Sequence, residues 1–264
     1  MPPYAEKNMP KEELIQFSGE EICSGILVWQ LNDIWPGTSW ALIDVGLHRK
    51  PSFFITQRAL APIVVGMERV VTSLPPYITM GYRAQKAALD IWAVNGRVEA
   101  QDAMLHLSAW DIETGKEVPL PADEAKKSLR LKPNQSNELA KLDIPHAAQT
   151  VVAARLVDED GTQLARWVSW PEPLKFVRFR PDLAVSVKVE SSSAGGDVVL
   201  LSADAPVKGV VVSVPIEDGE DAVFADNFVD LVPGEEIRIG VNGLAGRGVQ
   251  VRWLCDWEGK GFQL

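Results

Sequence analysis

The feature that most constrains this chain is one short apolar run, Ile26-Leu27-Val28-Trp29, that stands apart from everything after it. A nearly continuous apolar run is the pattern of a strand buried on both faces, as in a parallel sheet covered by helices. A loop rich in Asn, Asp, Pro, Gly and Ser follows (residues 32–39), and then a short predicted helix. Pro51 suits the first turn of that helix, Phe53, Phe54, Ile55 and Leu60 give it apolar residues, and it ends before Pro62. Strand, loop and helix make a single βα unit. One such unit cannot fold alone, because a parallel strand needs hydrogen-bonded neighbours and helices on both sides. The sequence therefore predicts missing partner structure upstream. Residues 1–20 are polar and carry Pro2, Pro3 and Pro10, with a short helix expected near 11–17.

From Pro62 onward the apolar period becomes two. Leu89, Ile91 and Ala93 alternate against Asp90, Trp92 and Val94, up to an Asn95-Gly96 turn signal. Residues 105–110 read as a strand, followed by the turn Glu113-Thr114-Gly115-Lys116. Residues 151–157 and 161–167 read as a hairpin around Asp158-Glu159-Asp160-Gly161. The charged stretch 123–141 reads as a solvated edge and loop. Pro171-Glu172-Pro173 makes a break, after which a second all-β run includes residues 198–201, 207–214 and 236–241. The last strand sets Val249, Val251, Trp253, Cys255 and Trp257 on one face against Gln250, Arg252, Leu254, Asp256 and Glu258. Antiparallel strands with turns at this spacing predict immunoglobulin-like sandwiches. The expected organisation is mainly β, with sandwiches over 61–172 and 173–264 behind a βα segment over 1–60.

Composition excludes several functions. Hydrophobic residues at 46% and charged residues at 23% describe an ordinary globular protein. A net charge of −10 repels phosphate backbones and anionic membranes, and no dense Lys/Arg stretch reverses it, so neither a nucleic-acid nor a membrane partner is expected. Cys23 and Cys255 have neither metal-ligand spacing nor a disulfide framework and read as buried thiols. The first residues lack the basic start and apolar run of a signal peptide, which predicts a cytoplasmic chain as written. His48, His106 and His146 are scattered, so no metal is expected, and no phosphate loop or dinucleotide fingerprint implies a cofactor.

The segment from Gly25 through Trp29-Gln30-Leu31-Asn32-Asp33-Ile34-Trp35-Pro36 to Ser39-Trp40, continued by Ile43-Asp44 and Arg49-Lys50-Pro51, resembles the eighth strand and following loop of the TIM (β/α)8 barrel in β-mannosidases, retaining glycoside hydrolases of family 2 type. Ile34 stands where that family more often has Cys. Near the other end, Phe224-Ala225-Asp226-Asn227-Phe228-Val229-Asp230-Leu231-Val232-Pro233-Gly234-Glu235 resembles the signature of the family's C-terminal immunoglobulin-like domain. The resemblance covers roughly residues 22–264 and weakens over 1–21. It implies the last βα unit of a barrel followed by two immunoglobulin-like domains.

It also implies where the chemistry is. Retaining glycoside hydrolysis uses two carboxyl groups about 5–5.5 Å apart. In the family these glutamates end the fourth and seventh barrel strands, upstream of this chain, so no residue here inherits a catalytic role and the chain alone is expected to be inactive. Asn137-Glu138 copies the family's Asn-Glu pair only superficially, in a polar stretch of the middle domain. Trp29, at the end of the last barrel strand, is implied to wall the site that holds mannose. Asn32, Asp33 and Trp35 are the further candidates for sugar contact, while Asp33 and Asp44 also suit loop-fixing roles and Trp40 a structural one. The tryptophans at 92, 110, 167, 170, 253 and 257 are expected in the sandwich cores. The implied partners are β-mannoside glycans or manno-oligosaccharides and the missing upstream barrel. Two other readings stay open: a stand-alone carbohydrate-binding or structural β-sandwich protein, and the tail of a related barrel glycosidase such as a β-glucosaminidase or β-galactosidase.

Overall fold

The structure, a computed structural model, describes residues 25–73, 86–192, 196–215 and 222–254. The helix expected near 11–17, both cysteines and Trp257 lie outside the described residues. The chain divides into two compact units, Met1–Phe53 and Phe54–Leu264.

In the first unit the expected strand does not form. Residues 26–29 have no strand assignment, and Leu27 and Trp29 are 99% and 76% exposed. An apolar run becomes a parallel strand only when neighbours take its hydrogen bonds on both sides, and the described residues supply none for this run. The following loop is ordered by its own backbone instead. The amides of Leu42 and Ile43 donate to the carbonyls of Gln30 and Leu31, Asp33 donates to Ile43, and Lys50 donates to Leu42, all at 2.9–3.1 Å.

Helix α1 (Pro51–Ala59) begins at the expected proline. In the second unit it leads into strand β1 (Ile63–Ser73). A three-stranded antiparallel sheet forms in the order β1, β2 (Lys86–Asn95) and β5 (Gln135–Pro145). It faces a four-stranded sheet in the order β4 (Lys126–Leu131), β3 (Gln101–Asp111), β6 (Thr150–Val157) and β7 (Gln163–Ser169). The predicted alternation is observed on β2, where Leu89, Ile91 and Ala93 are fully buried. Burying Leu89 and Ile91 is worth about 1.5–3 kcal/mol each. Together with Leu105, Leu107, Leu131, Leu142, Val152 and Leu156 they form the core between the sheets. Asn95-Gly96 does not close a hairpin but carries the chain from one sheet to the other. The buried Asn95 amide donates to the carbonyls of Glu99 and Leu131, and its oxygen accepts the Arg97 amide.

The stretch 123–141 corrects the sequence reading. The edge is there but the loop is not: the stretch forms a one-turn helix, α2 (Ala122–Ala125), and two strands, β4 and β5, each at the edge of its sheet. Charged side chains occupy the outward positions while Leu131, Leu139, Leu142 and Ile144 point inward. The alternation is masked by a register shift opposite Ile91 and Trp92, which breaks the period of two.

The second sandwich packs a sheet in the order β11 (Val223–Phe224), β13 (Ile237–Asn242), β9 (Gly196–Ala203), β8 (Val185–Ser192) against a sheet in the order β12 (Val229–Leu231), β10 (Val207–Ser213), β14 (Gln250–Arg252). Val199, Leu201, Val207, Val210, Leu231 and Ile239 fill its core. The described part of the last predicted strand keeps its alternation, with Val249, Val251 and Trp253 packed on that core. A third apolar cluster joins the sandwiches: Trp110, Ile112, Val151, Ala153, Val168 and Trp170 from the first meet Val232 of the second. Of the tryptophans expected in cores, Trp110 and Trp170 are buried at this junction. Trp167 is not in a core. It lies on the edge strand β7, which leaves it 37% exposed. Trp92 lies half-buried against Gly66, its partner across the sheet, so closely that a Cβ at position 66 would come within 2.3 Å of the ring.

Candidate substrate-contact loop

Residues 29–50 gather all four candidate contact residues into one folded loop. Pro36 and Gly37 let the chain turn back, and a parallel bridge between Asn32 and Ile43 and an antiparallel one between Ile43 and Arg49 bring its two halves alongside. Ala41 is buried beneath the turn.

Asp33 is the loop's polar centre. It is 8% exposed, and its carboxylate accepts hydrogen bonds from the Ser39 hydroxyl on one oxygen and from Lys50 Nζ, at 2.6 Å, on the other. The Ser39 Oγ also accepts from the Ala41 amide at 3.0 Å and lies 3.3 Å from Lys50 Nζ. The hydrogen bonds from Lys50 and Ser39 hold the Asp33 carboxyl below its ordinary pKa, more than offsetting the cost of its burial. Asp33 is therefore ionised and occupied with loop-fixing partners. Asp44 serves a second turn. Despite partial desolvation, which pushes its pKa up, the His48 amide and ring Nδ1 at 2.9 Å hold the carboxyl below its ordinary value.

The aromatic candidates stand free of this network. Trp29 and Trp35 are 76% and 71% exposed. The peptide between Trp29 and Gln30 is cis. Asn32 is exposed, and its amide donates to the Asp33 carbonyl at 3.1 Å. Trp40, expected to be structural, is 69% exposed. Ser39 and Lys50 were not singled out from the sequence as Asp33 partners. Lys50 lies seventeen residues from Asp33, and no local spacing rule links them.

Elsewhere, Asn137-Glu138 sits on β5, where the Asn137 side chain accepts from the Lys132 amide at 2.8 Å and fixes the β4–β5 turn, with Glu138 exposed. Among the described residues no three His, Cys, Asp or Glu side chains gather as a metal site. No helix among them is long and apolar enough to cross a membrane.

Comparison with known proteins gives these features a setting. Residues 87–175 match a family described as "Mannosidase Ig/CBM-like domain", and residues 180–253 match one described as "Ig-fold domain". A β-mannosidase B of Thermothelomyces thermophilus is 40% identical over 243 residues, which is 88% of this chain and 27% of that protein. A β-mannosidase B of Aspergillus terreus is 31% identical over 241 residues, covering 87% and 26%. The chain thus spans about a quarter of the length of the curated relatives it matches. Among solved structures, a β-D-mannosidase of Dictyoglomus thermophilum superimposes with a TM-score of 0.67 at 19% identity, covering 85% of this chain and 25% of that one. An exo-chitosanase of Amycolatopsis orientalis superimposes with a TM-score of 0.58 at 14% identity, covering 86% and 29%. These two likenesses concern the fold.

Proposed function

Corresponding as it does to a C-terminal portion of the β-mannosidases, with their immunoglobulin-like domains, this chain completes, we propose, the barrel of a retaining enzyme that hydrolyses terminal non-reducing β-D-mannose residues. Residues 1–60 are the barrel's last βα unit, 61–172 the middle domain and 173–264 the terminal domain. The run Ile26–Trp29 becomes the eighth strand when the upstream barrel supplies its neighbours, and Trp29 then presents its ring to the apolar face of the sugar. Asn32 and Trp35 extend that wall. Asp33 contacts the sugar only through an edge left by Ser39 and Lys50. Both catalytic glutamates belong to the upstream part.

The observation that carries this reading is the contrast within one short segment. Ile26, Leu27 and Trp29 are exposed, as strand residues awaiting partners would be, while the loop directly after them is already braced through Asp33. Exposed apolar surface of this kind marks a surface that is covered in a larger assembly.

The test uses the purified 264-residue chain with nitrophenyl β-mannoside and, separately, mannobiose. The expected results are no nitrophenol release above buffer and no saturable mannobiose binding at millimolar concentration. Nitrophenol release would overturn the assignment of catalysis to the upstream part. Saturable binding would favour a stand-alone carbohydrate-binding protein. The likeness in fold to the exo-chitosanase makes nitrophenyl β-glucosaminide the appropriate second substrate for any reassembled enzyme.

A further inference from the structure

The stretch Phe224–Glu235 lies outside the candidate loop, yet most of its residues have a defined contact. Four consecutive residues present acceptors to the last turns of α1. The Gln57 amide donates to the Ala225 carbonyl at 3.3 Å. The Arg58 guanidinium donates to the Asp226 carboxylate, to the Asn227 carbonyl at 3.0 Å and to the Phe228 carbonyl at 3.2 Å. Phe54, 3% exposed, sets its ring 6.0 Å from that of Phe228.

The loop is held in shape by its own sandwich. The Asn227 side chain acts as a substitute peptide: its oxygen accepts from the Val212 amide at 2.9 Å and its nitrogen donates to the Val212 carbonyl at 2.7 Å. Phe228 has φ of 52°, a left-handed turn that sets the Asn227 and Phe228 carbonyls side by side for one guanidinium.

The other end of the stretch reaches the middle sandwich. Asp230 accepts from the Trp170 indole at 2.8 Å, from Lys208 Nζ at 3.1 Å and from the Gly209 amide at 2.8 Å. Glu235 accepts from Arg166 Nε at 2.8 Å and pairs with Arg155 at 3.5 Å. Val232 is buried in the junction cluster.

We infer that Phe224–Glu235 is a three-way joint, in which the terminal sandwich grips the helix Phe54–Ala59 on one side and the middle sandwich on the other, so that the last barrel helix is docked by this domain rather than merely tethered to it. Its meaning for the whole enzyme rests on reading α1 as the barrel's last helix, whereas the grip itself is a property of this chain. A guanidinium shared among three acceptors specifies orientation in a way that a linker does not. Partial burial pushes the Asp226 carboxyl above its ordinary pKa, in part offset by Arg58, so loss of the arginine leaves a half-buried carboxylate without its counter-charge.

Hydrogen–deuterium exchange on the intact 264-residue chain tests the joint. Arg58→Met is expected to speed exchange of the amides of 56–60 by at least ~10-fold, with β2, β3 and β6 unchanged, because hydrogen bonds to a charged group are removed from the helix. Adding Asp226→Asn is expected to return part of that protection by neutralising the stranded carboxylate. If Arg58→Met does not fold, Arg58→Lys, which keeps the charge but not the three-way fork, is expected to give the same local effect. Helix exchange within twofold of the parent in whichever of the two variants folds would overturn the joint. Neither result depends on hydrolysis or on an added barrel, so failure of the β-mannosidase reading would be recognised separately.

Discussion

Replacing Trp170 by Phe is expected to weaken the chain at the junction of its two sandwiches. Trp170 is 6% exposed, packs against Phe179 with tilted rings whose centroids lie 5.9 Å apart, and has Lys208 Nζ 5.5 Å from its ring centroid. Phenylalanine keeps most of the apolar contact but loses the indole N–H that donates to Asp230 at 2.8 Å. A hydrogen bond to a charged acceptor contributes about 1.5–3 kcal/mol. Asp230 keeps its bonds from Lys208 and Gly209, so the lower end, about 1.5 kcal/mol, applies. The smaller ring also leaves roughly 40 Å³ empty, which costs about 1 kcal/mol at ~24 cal/mol per Å³. The total of about 2.5 kcal/mol, with a urea slope of about 2–3 kcal/mol/M, moves the midpoint down by roughly 1 M. Far-UV circular dichroism in urea reads this without depending on tryptophan emission. A midpoint within ~0.3 M of the parent would refute the claim that Trp170 and Asp230 fasten the two sandwiches.

Three further outcomes follow from individual contacts. Gly66→Ala puts a Cβ 2.3 Å from the Trp92 ring and is expected to destabilise by about 1–3 kcal/mol, whereas Gly66→Ala in a Trp92→Ala background is expected to cost less, both read from urea midpoints. Arg69 donates to the carbonyls of Ala147, Thr150 and Ser169, and burial lowers its pKa to about 10; Arg69→Ala is expected to cost about 3–5 kcal/mol, seen as a lower Tm. The Asp33 pKa is depressed in the folded state, so the brace is present above the ordinary carboxylate pKa and is lost as pH falls through the depressed value. Carbon NMR of the Asp33 carboxyl is expected to report that depression, and Lys50→Met to raise the titration toward ordinary; an unmoved titration would remove Lys50 as the cause.

Much of the sandwich pair was legible because burial on one face imposes a period of two. Leu89, Ile91 and Ala93 declared β2 directly, and the Asp158–Gly161 turn declared the hairpin of β6 and β7. β4 and β5 were hidden because their outward positions are charged and a register shift interrupts the alternation at Leu139 and Leu142. Residues 26–29 failed for a different reason. Their apolar pattern describes an environment that neighbouring strands would create, and pattern alone does not supply those neighbours. At the candidate loop, Trp29, Asn32, Asp33 and Trp35 came from family resemblance. The brace on Asp33 was not legible, since the pairing with Lys50 depends on how the loop folds back rather than on spacing. The same holds for Arg58 and Asp226, which lie 168 residues apart.

The most direct measurement of the central claim is reassembly. This chain would be mixed with, or co-expressed beside, the upstream three-quarters of a β-mannosidase B that ends before its last barrel strand, and hydrolysis of nitrophenyl β-mannoside followed. The account predicts that neither part is active alone, that together they release nitrophenol, and that Trp29→Ala in this chain lowers the reassembled activity by at least ~10-fold. Activity from the upstream part that is unchanged by adding this chain, or a reassembled enzyme indifferent to Trp29, would contradict it.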